Sequence, residues 1–418
     1  MVRQRLLALV VLGAFCAAGC SSASGSAPGR EAADASESSV PSGSETSTSG
    51  GEPRGEGDQK QTSTAAAGTL APTTAASIVR GTPEQWAAFD DSLRQALLGR
   101  GDFTVQVAVA HRGVLVHEAA YGIADPPDGT TPATPDMRFR IGSISKSVLA
   151  PVVLQLVDEG RLGLDEAVLT RLANRVGVSL GDPRMASVTV RQLLSHTSSL
   201  PEYWKTFFRT DGTCRDAAAR GLSRRLMADP GTLYNYSNLN YCLLGLLVED
   251  VTGRSFEVEV QDRVLTPLGV SDMRVAKTNE VRPGDVVHPA GPDRSFLEML
   301  GAAGAWVGRA RDVVKVLDGM DAGTVDKPVV PASLVGPMRQ RLPFEYPNPQ
   351  RWYGLGVMVW SDGSYGHTGT VENARSMGVH RSDGVTWAVL VNGNAPSETD
   401  RIESFVERAL REVPGLSR

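Results

Sequence analysis

A serine and a lysine three residues apart are the first side chains in the sequence that could do chemistry together. Ser143 is followed by Ile144, Ser145 and Lys146, and the dense apolar residues that come next predict a buried helix opening here. Positions three apart on a helix share one face, which places the hydroxyl beside the amine. A lysine inside a protein has a lowered pKa and can take a proton from serine, which makes the serine a nucleophile. We therefore predict that Ser143 and Lys146 are catalytic; the alternative is a capping serine beside a surface lysine.

A tyrosine and an asparagine supply the second element of the predicted site. Tyr236 and Asn238 lie where a loop enters an apolar helix, and a phenol there can relay protons. We predict that Tyr236 is catalytic and that Asn238 bonds Lys146 and a substrate amide. The same spacing recurs at Tyr346, but that tyrosine lies in a proline-rich loop with nothing behind it to fix its position. A packed, non-catalytic Tyr236 is the alternative interpretation.

The third element is the run His367, Thr368, Gly369 and Thr370 in the closing strand region. We predict that these residues bind substrate along a strand edge, because the glycine lets a ligand approach the backbone closely. The backbone N–H groups of Ser143 and Thr370 would form an oxyanion hole, in which loss of one donor typically costs on the order of a hundredfold in rate.

Taken together, the three elements in this order resemble the serine β-lactamase and DD-peptidase superfamily, in its class C-like branch with D-alanyl-D-alanine carboxypeptidases and related esterases. The resemblance runs from about Gln85 to the end of the chain. It implies a mixed sheet beside a helical domain, a site in the cleft between them, and neither a metal nor a cofactor. Its supporting segments are residues 139–142, 154–164, 190–197, 236–245 and 365–369.

The sequence departs from that family at three places near the expected cleft. Ser199 stands where relatives often keep glycine, and Ala303-Gly304-Ala305 replaces a more usual glycine pair. Residues 357–360 contain no arginine. Secreted DD-carboxypeptidases carry arginines at this place, and one of these arginines binds the terminal carboxylate of the substrate. Arg375 could replace that arginine, although a solvated surface arginine is the preferred interpretation.

These departures leave the substrate open. In order of preference, the sequence indicates a D-Ala-D-Ala carboxypeptidase-like or cell-wall peptide hydrolase, then a carboxylesterase, then a class C-like β-lactamase. The expected substrates are peptides, β-lactams or small esters.

Other classes of site fit the sequence less well. It contains no G-x-S-x-G elbow between a strand and a helix, no H-E-x-x-H motif and no spaced Cys/His zinc cluster after the signal. His196 could suggest a Ser/His triad, but the resemblance implies a structural role for it. The rival of another class is a non-catalytic binding lipoprotein of the same fold, and the intact Ser143, Lys146 and Tyr236 argue against it.

The elements that must position these groups come from both ends of the chain. Helices are predicted at residues 82–101 and 397–413, and strands at 103–111, 114–121, 377–380 and 386–391. The sequence pattern of residues 160–343, the middle of the chain, predicts helices joined by many loops. We therefore expect an α+β fold of the β-lactamase/transpeptidase type, with an antiparallel sheet built from both chain ends and flanked by helices, and with an all-helical subdomain inserted between.

The N-terminal region reads as an export signal and a spacer. Residues 1–19 resemble a lipoprotein signal peptide that ends before Cys20, which would then carry lipid; ordinary secretion is the alternative. Residues 20–77 are rich in Ser, Gly and Ala and predict a disordered tether, so that 78–418 form the hydrolase domain. This predicts an extracytoplasmic, membrane-anchored protein.

The net charge and the cysteines limit which partners and which covalent bonds the sequence indicates. A formal net charge of -5 without a basic stripe argues against nucleic-acid binding. Cys214 and Cys242 are the pair left after the N-terminal cysteines, and they could form a disulfide or remain as two buried thiols. We expect a monomer.

Overall fold

The structure, a computed structural model, describes residues 77–97, 104–126, 129–201, 212–290 and 294–418. The chain divides into two units, Met1–Thr73 and Thr74–Arg418, and the first lies wholly outside the described residues. The predicted signal peptide, Cys20 and residues 20–76 of the tether therefore also lie outside them. No helix of the described part is long and apolar enough to cross a membrane.

The larger sheet joins both ends of the chain, as the sequence predicts. Its seven strands run in the order β2-β1-β10-β9-β8-β7-β6, all antiparallel. The N-terminal strand β1 pairs along its whole length with the C-terminal β10, from Thr104 opposite Asn392 to His111 opposite Val385. The strands are β1 (Thr104–His111), β2 (Val114–Gly122), β6 (Arg351–Tyr353), β7 (Met358–Trp360), β8 (Tyr365–Val371), β9 (Ala374–His380) and β10 (Val385–Asn392).

Both faces of this sheet are covered, which explains why β1 and β10 are buried at every residue. The two terminal helices, α1 (Pro83–Leu97) and α11 (Arg401–Ala409), pack on one face through side chains such as Phe89 and Phe405. Helix α11 begins at Arg401 and not at Ser397 as predicted. Thr399 is instead drawn to the sheet, because its hydroxyl bonds that of Thr370 at 2.7 Å.

The opposite face carries the large core and the helices of the middle region. These helices are α2 (Ser145–Asp158), α3 (Leu169–Val176), α4 (Val190–Leu194), α5 (Cys214–Leu222), α6 (Asn238–Thr252), α7 (Phe256–Val260), α8 (Phe296–Leu300), α9 (Ala310–Asp318) and α10 (Ala332–Arg339).

The insertion between the two ends is not all-helical, which corrects the prediction. Strands β4 (Arg274–Val275) and β5 (Trp306–Gly308) lie within it and pair with β3 (Phe139–Arg140), in the order β3-β5-β4. These strands are two or three residues long. A run that short shows no alternating pattern, so it could not be told from a loop by sequence. The small sheet holds the chain in place directly before Ser143.

Candidate active site

Ser143 lies in a single 3-10 turn, Gly142–Ile144, that leads straight into helix α2. Gly142 has φ +52, a left-handed conformation that glycine adopts without strain. A Cβ atom there would lie 3.1 Å from the backbone nitrogen of Thr370. Because Gly142 has no side chain, the turn that carries Ser143 can approach strand β8 closely.

Lys146 is fully buried, and its Nζ atom lies 3.0 Å from Ser143 Oγ, 2.7 Å from Asn238 Oδ1 and 2.7 Å from the carbonyl oxygen of Ala303. Burial holds the pKa of Lys146 well below its usual value. A neutral amine has two N–H groups, which match the two carbonyl-type acceptors, and its lone pair then faces the Ser143 hydroxyl. Lys146 is thus arranged to accept the proton of Ser143.

Tyr236 contacts the same pair from the other side. Lys146 Nζ lies 5.0 Å from the centre of its ring. Burial raises the pKa of Tyr236 and outweighs the opposite effect of the nearby Ser143 hydroxyl, so the phenol keeps its proton near neutral pH. The other candidate, Tyr346, packs against the ring of Tyr234 at 5.1 Å and takes no part in this contact. The structure brings Ser143, Lys146 and Tyr236 together.

Asn238 is the first residue of helix α6 and, as expected, contacts Lys146. Ala303 was not predicted as part of the site. Its contribution is a backbone carbonyl, which every residue type carries, so no sequence pattern could have pointed to it. The only signal was the unusual Ala303-Gly304-Ala305 segment, which the sequence placed at a pocket rim.

Strand β8 is an inner strand of the sheet, but the part that matters has an open edge. Its neighbour β7 pairs only with Tyr365 and Gly366. Because Trp360 N–H bonds the carbonyl of Ser364, the backbone groups of even-numbered β8 residues point toward β7, and this alternation continues along the strand. Beyond the end of β7, the N–H of Thr370 is therefore directed to the open edge beside Ser143.

His367 lies close to the site but is 1% exposed. Its Nδ1 atom lies 2.5 Å from the carbonyl oxygen of Thr368, so Nδ1 carries the proton, and Nε2 accepts from the Tyr353 hydroxyl at 2.8 Å. Burial is the largest cause that lowers the pKa of His367, to about 3. It is neutral, with both nitrogens engaged. In this structure Thr368 and Thr370 are more accessible than His367, with Thr370 exposed.

Comparison with known proteins decides the family. The Beta-lactamase family model matches residues 59–410. The chain belongs to the Beta-lactamase family. The match begins within the segment predicted as a tether.

This Beta-lactamase family member is 36% identical over 163 residues to Penicillin-binding protein 4 of Amycolatopsis lactamdurans. The aligned region covers 37% of this chain and 40% of the relative. The chain thus spans about two fifths of the length of the first curated relatives that it matches. Among solved structures, SurE with D-Leu shares 27% identity at a TM-score of 0.63, covering 81% of this chain and 78% of that one. The D-amino acid amidase of Ochrobactrum anthropi SV3 shares 25% identity at a TM-score of 0.63, covering 78% and 99%.

The departures of this Beta-lactamase family member have structural explanations. Ser199 has φ +59, a conformation that favours the glycine of relatives, and its hydroxyl donates to the carbonyl of Asp229 at 3.0 Å. Arg375 donates from Nη1 to the carbonyls of Val371 at 3.0 Å and Ala374 at 2.9 Å. The guanidinium of Arg375 therefore braces the hairpin between β8 and β9.

Cys214 and Cys242 are joined by a disulfide, with their Cα atoms 5.6 Å apart. The bond ties the start of helix α5 to helix α6, whose first residue is Asn238. Of the two states that the sequence left open, the structure has the bonded one.

Proposed function

We propose that this protein hydrolyses amide bonds in peptides or amides whose acyl residue has the D configuration. The observation that carries the proposal is the contact of Ser143 Oγ with Nζ of the buried Lys146, whose pKa is lowered, with the ring of Tyr236 beside them at an open strand edge. The named relatives support the substrate class, because they include a penicillin-binding protein, an amidase for D-amino acids and a protein bound to D-Leu.

In the proposed reaction, Ser143 Oγ attacks the carbonyl carbon while its proton passes to Lys146. The carbonyl oxygen becomes an oxyanion held by the N–H groups of Ser143 and Thr370. Tyr236 donates its proton to the leaving nitrogen and recovers one from Lys146. Water then attacks the acyl-enzyme by the reverse route and releases the acid. Proton transfer by positioned groups of this kind typically contributes on the order of 10²- to 10⁴-fold.

Among the residues placed around Ser143, the side chains with exposed surface are those of Tyr236, Asn238, Thr368 and Thr370, and all four are uncharged. This set favours substrates without a charge on the leaving-group side of the scissile bond. Arg375 is engaged with backbone carbonyls. A D-Ala-D-Ala carboxypeptidase or a β-lactamase acts on a substrate with a nearby carboxylate, so we rank both below an amidase. The same observation makes a carboxylesterase the second candidate.

A substrate panel tests the proposal. The purified domain is assayed with matched D- and L-amino-acid amides, a peptide ending in D-Ala-D-Ala, nitrocefin and p-nitrophenyl butyrate, with Ser143→Ala as the blank. We expect turnover of D-amides at least about tenfold faster than of their L partners. Turnover of the ester alone would contradict the amidase and favour the carboxylesterase, and rapid nitrocefin turnover would favour the β-lactamase.

We also propose that the protein works outside the cytoplasm as a lipid-anchored monomer. The support is the sequence of residues 1–19 and the small residues before Cys20. The spacer of residues 20–77 would let the domain reach substrate away from the membrane.

A further inference from the structure

The loop that carries Tyr236 is fixed on both sides by one residue, His196. Asn235 N–H donates to the backbone carbonyl of His196 at 2.8 Å, and Ser237 N–H donates to its ring atom Nδ1 at 3.2 Å. The residues immediately before and after Tyr236 are therefore both held by His196.

The ring of His196 also contacts the tyrosine itself. The centres of the His196 and Tyr236 rings lie 4.2 Å apart at an interplanar angle of 32°. On its other side the imidazole meets Tyr353 edge-on, with ring centres 4.5 Å apart. Aromatic contacts of this kind restrict the orientation of a ring as well as burying it.

The protonation state of His196 is set by its partners. Nδ1 accepts from Ser237 N–H and from Asn240 Nδ2, which lies 2.9 Å away, so the proton of the ring is on Nε2. Nε2 is buried and has no hydrogen-bond partner. His196 is 0% exposed, and burial holds its pKa well below the usual value. The ring is a neutral acceptor.

This geometry excludes the Ser/His triad that His196 could suggest. A general base for Ser143 needs a free lone pair within hydrogen-bonding reach of the serine hydroxyl. The only lone pair of the His196 ring, at Nδ1, accepts from both Ser237 N–H and Asn240 Nδ2, and Ser143 Oγ lies 3.0 Å from Lys146 Nζ. A buried Nε2–H without a partner costs free energy. That this cost is accepted indicates that the site requires the acceptor at Nδ1.

We propose that His196 is the positioning residue for Tyr236: its carbonyl and Nδ1 clamp the two flanking residues, and its ring fixes the plane of the phenol. The proposal rests on the serine hydrolase reaction at Ser143, but on no particular substrate. His196 acts through Tyr236 and makes no direct contact with the reacting atoms.

Two substitutions separate the acceptor from the ring. His196→Asn places an amide oxygen near the position of Nδ1, and asparagine tolerates the φ of +57 found here. His196→Phe keeps an aromatic ring but removes the acceptor. His380→Asn is the matched control, since His380 is also buried but contacts Asp318 and Thr386, which the mechanism does not use.

The readout is the rate at which a fluorophosphonate probe labels Ser143, together with kcat and KM for whichever substrate is turned over. We expect His196→Phe to lower the labelling rate and kcat on the order of a hundredfold with little change in KM. His196→Asn should restore most of this loss, and His380→Asn should label at the wild-type rate. An inactive Asn variant, or a Phe variant with the wild-type rate, would overturn the proposal.

A double-mutant cycle with Tyr236→Phe supplies a test that a general loss of stability would not pass. If His196 acts only through Tyr236, the His196→Phe change should have little further effect once the phenol hydroxyl is gone. Losses that simply multiply would contradict the proposal. Should His196→Phe fail to fold, Asn240→Leu removes one donor to Nδ1 and is expected to slow labelling about threefold to tenfold; an unchanged rate in that variant would count against the clamp.

Failure of this proposal is distinguishable from failure of the proposed function. Fluorophosphonate labelling depends on an activated Ser143 and not on D-amide specificity. A chain that labels rapidly but ignores D-amides would leave the role of His196 open to the same measurement, while overturning only the proposed substrate class.

Discussion

At the residue scale, the proposed mechanism depends on a buried lysine. Among the described residues, the hydrogen-bond partners of Lys146 are Ser143, Asn238 and the carbonyl of Ala303, none of which is a carboxylate. Burial disfavours the charged amine, and its pKa is lowered accordingly. The proposed acceptor of the Ser143 proton therefore loses its own proton at a lower pH than an ordinary lysine does.

This account predicts the pH dependence of the enzyme. Activity should fall as the pH decreases through the lowered pKa of Lys146, because the protonated amine can no longer accept the proton of Ser143. Lys146→Arg should lose at least about a hundredfold in kcat/KM at every pH, since arginine stays protonated. Steady-state pH profiles of the two proteins check this. An arginine variant that recovered activity at high pH would contradict a base role for Lys146.

The sequence predicted most of these residues and missed others for definable reasons. Ser143, Lys146, Tyr236 and Asn238 carry side chains whose types and spacing indicate the chemistry, and the structure brings them together. The involvement of Ala303 was not predicted, because it acts through its backbone. The buried position of His367 was not predicted. Its hydrogen bond to the Tyr353 hydroxyl joins two strands, and no local sequence pattern encodes such a contact.

At the element scale, the site exists because the turn before helix α2 packs tightly against strand β8. The proposed oxyanion hole requires that the N–H groups of Ser143 and Thr370 face the same point. Gly142 permits this approach, since it has a positive φ and no Cβ atom toward Thr370. The edge of β8 is open only beyond Gly366, because the short strand β7 pairs with Tyr365 and Gly366 and covers the first part.

A glycine pair tests this arrangement. Gly142→Ala adds a Cβ atom 3.1 Å from Thr370 N, so it should widen the oxyanion hole and lower kcat on the order of a hundredfold. Gly160→Ala is the matched control, because Gly160 has φ +69 but nothing within 4 Å of an added Cβ. Both variants should lose roughly 1 kcal/mol of unfolding free energy from strain, measured by chemical denaturation. Equal kcat values in the two variants would contradict the role of the close approach.

At the scale of the whole molecule, both chain ends complete the sheet that carries β8, so global stability and the site are linked. The core of this sheet holds an ionic cluster, in which His380 Nδ1 lies 3.2 Å from Asp318 and His380 Nε2 lies 3.3 Å from Asp321. Hydrogen bonds to the two carboxylates outweigh burial and raise the pKa of His380, and the bond to His380 lowers the pKa of Asp321.

The cluster predicts how stability varies with pH. The hydrogen bonds that raise the pKa of His380 contribute their full stabilisation below the ordinary pKa of 6.5. This contribution is lost as the pH rises through the raised pKa. The lowered pKa of Asp321 acts above the ordinary 3.8 and is lost as the pH falls. His380→Asn should therefore be most destabilising between these two values and less so in alkaline solution. Thermal unfolding across pH measures this, and a pH-independent difference would contradict it.

The proposed lipid anchor is also a property of the whole chain. Cys20→Ala should move the expressed protein from the membrane to the soluble fraction and abolish incorporation of labelled palmitate. The control is Cys214→Ala, in which Cys20 is intact and which should remain in the membrane fraction. Continued membrane association of Cys20→Ala would contradict the anchor at this residue.

The central claim, that Ser143 is a nucleophile activated by Lys146 and Tyr236, is tested most directly by mapping the site of covalent modification. The chain is incubated with a fluorophosphonate probe and digested, and the modified residue is assigned by mass spectrometry. We predict one adduct, on Ser143, that is absent from Ser143→Ala and forms far more slowly in Lys146→Arg. An adduct on another residue, or undiminished labelling of Ser143→Ala, would contradict the account.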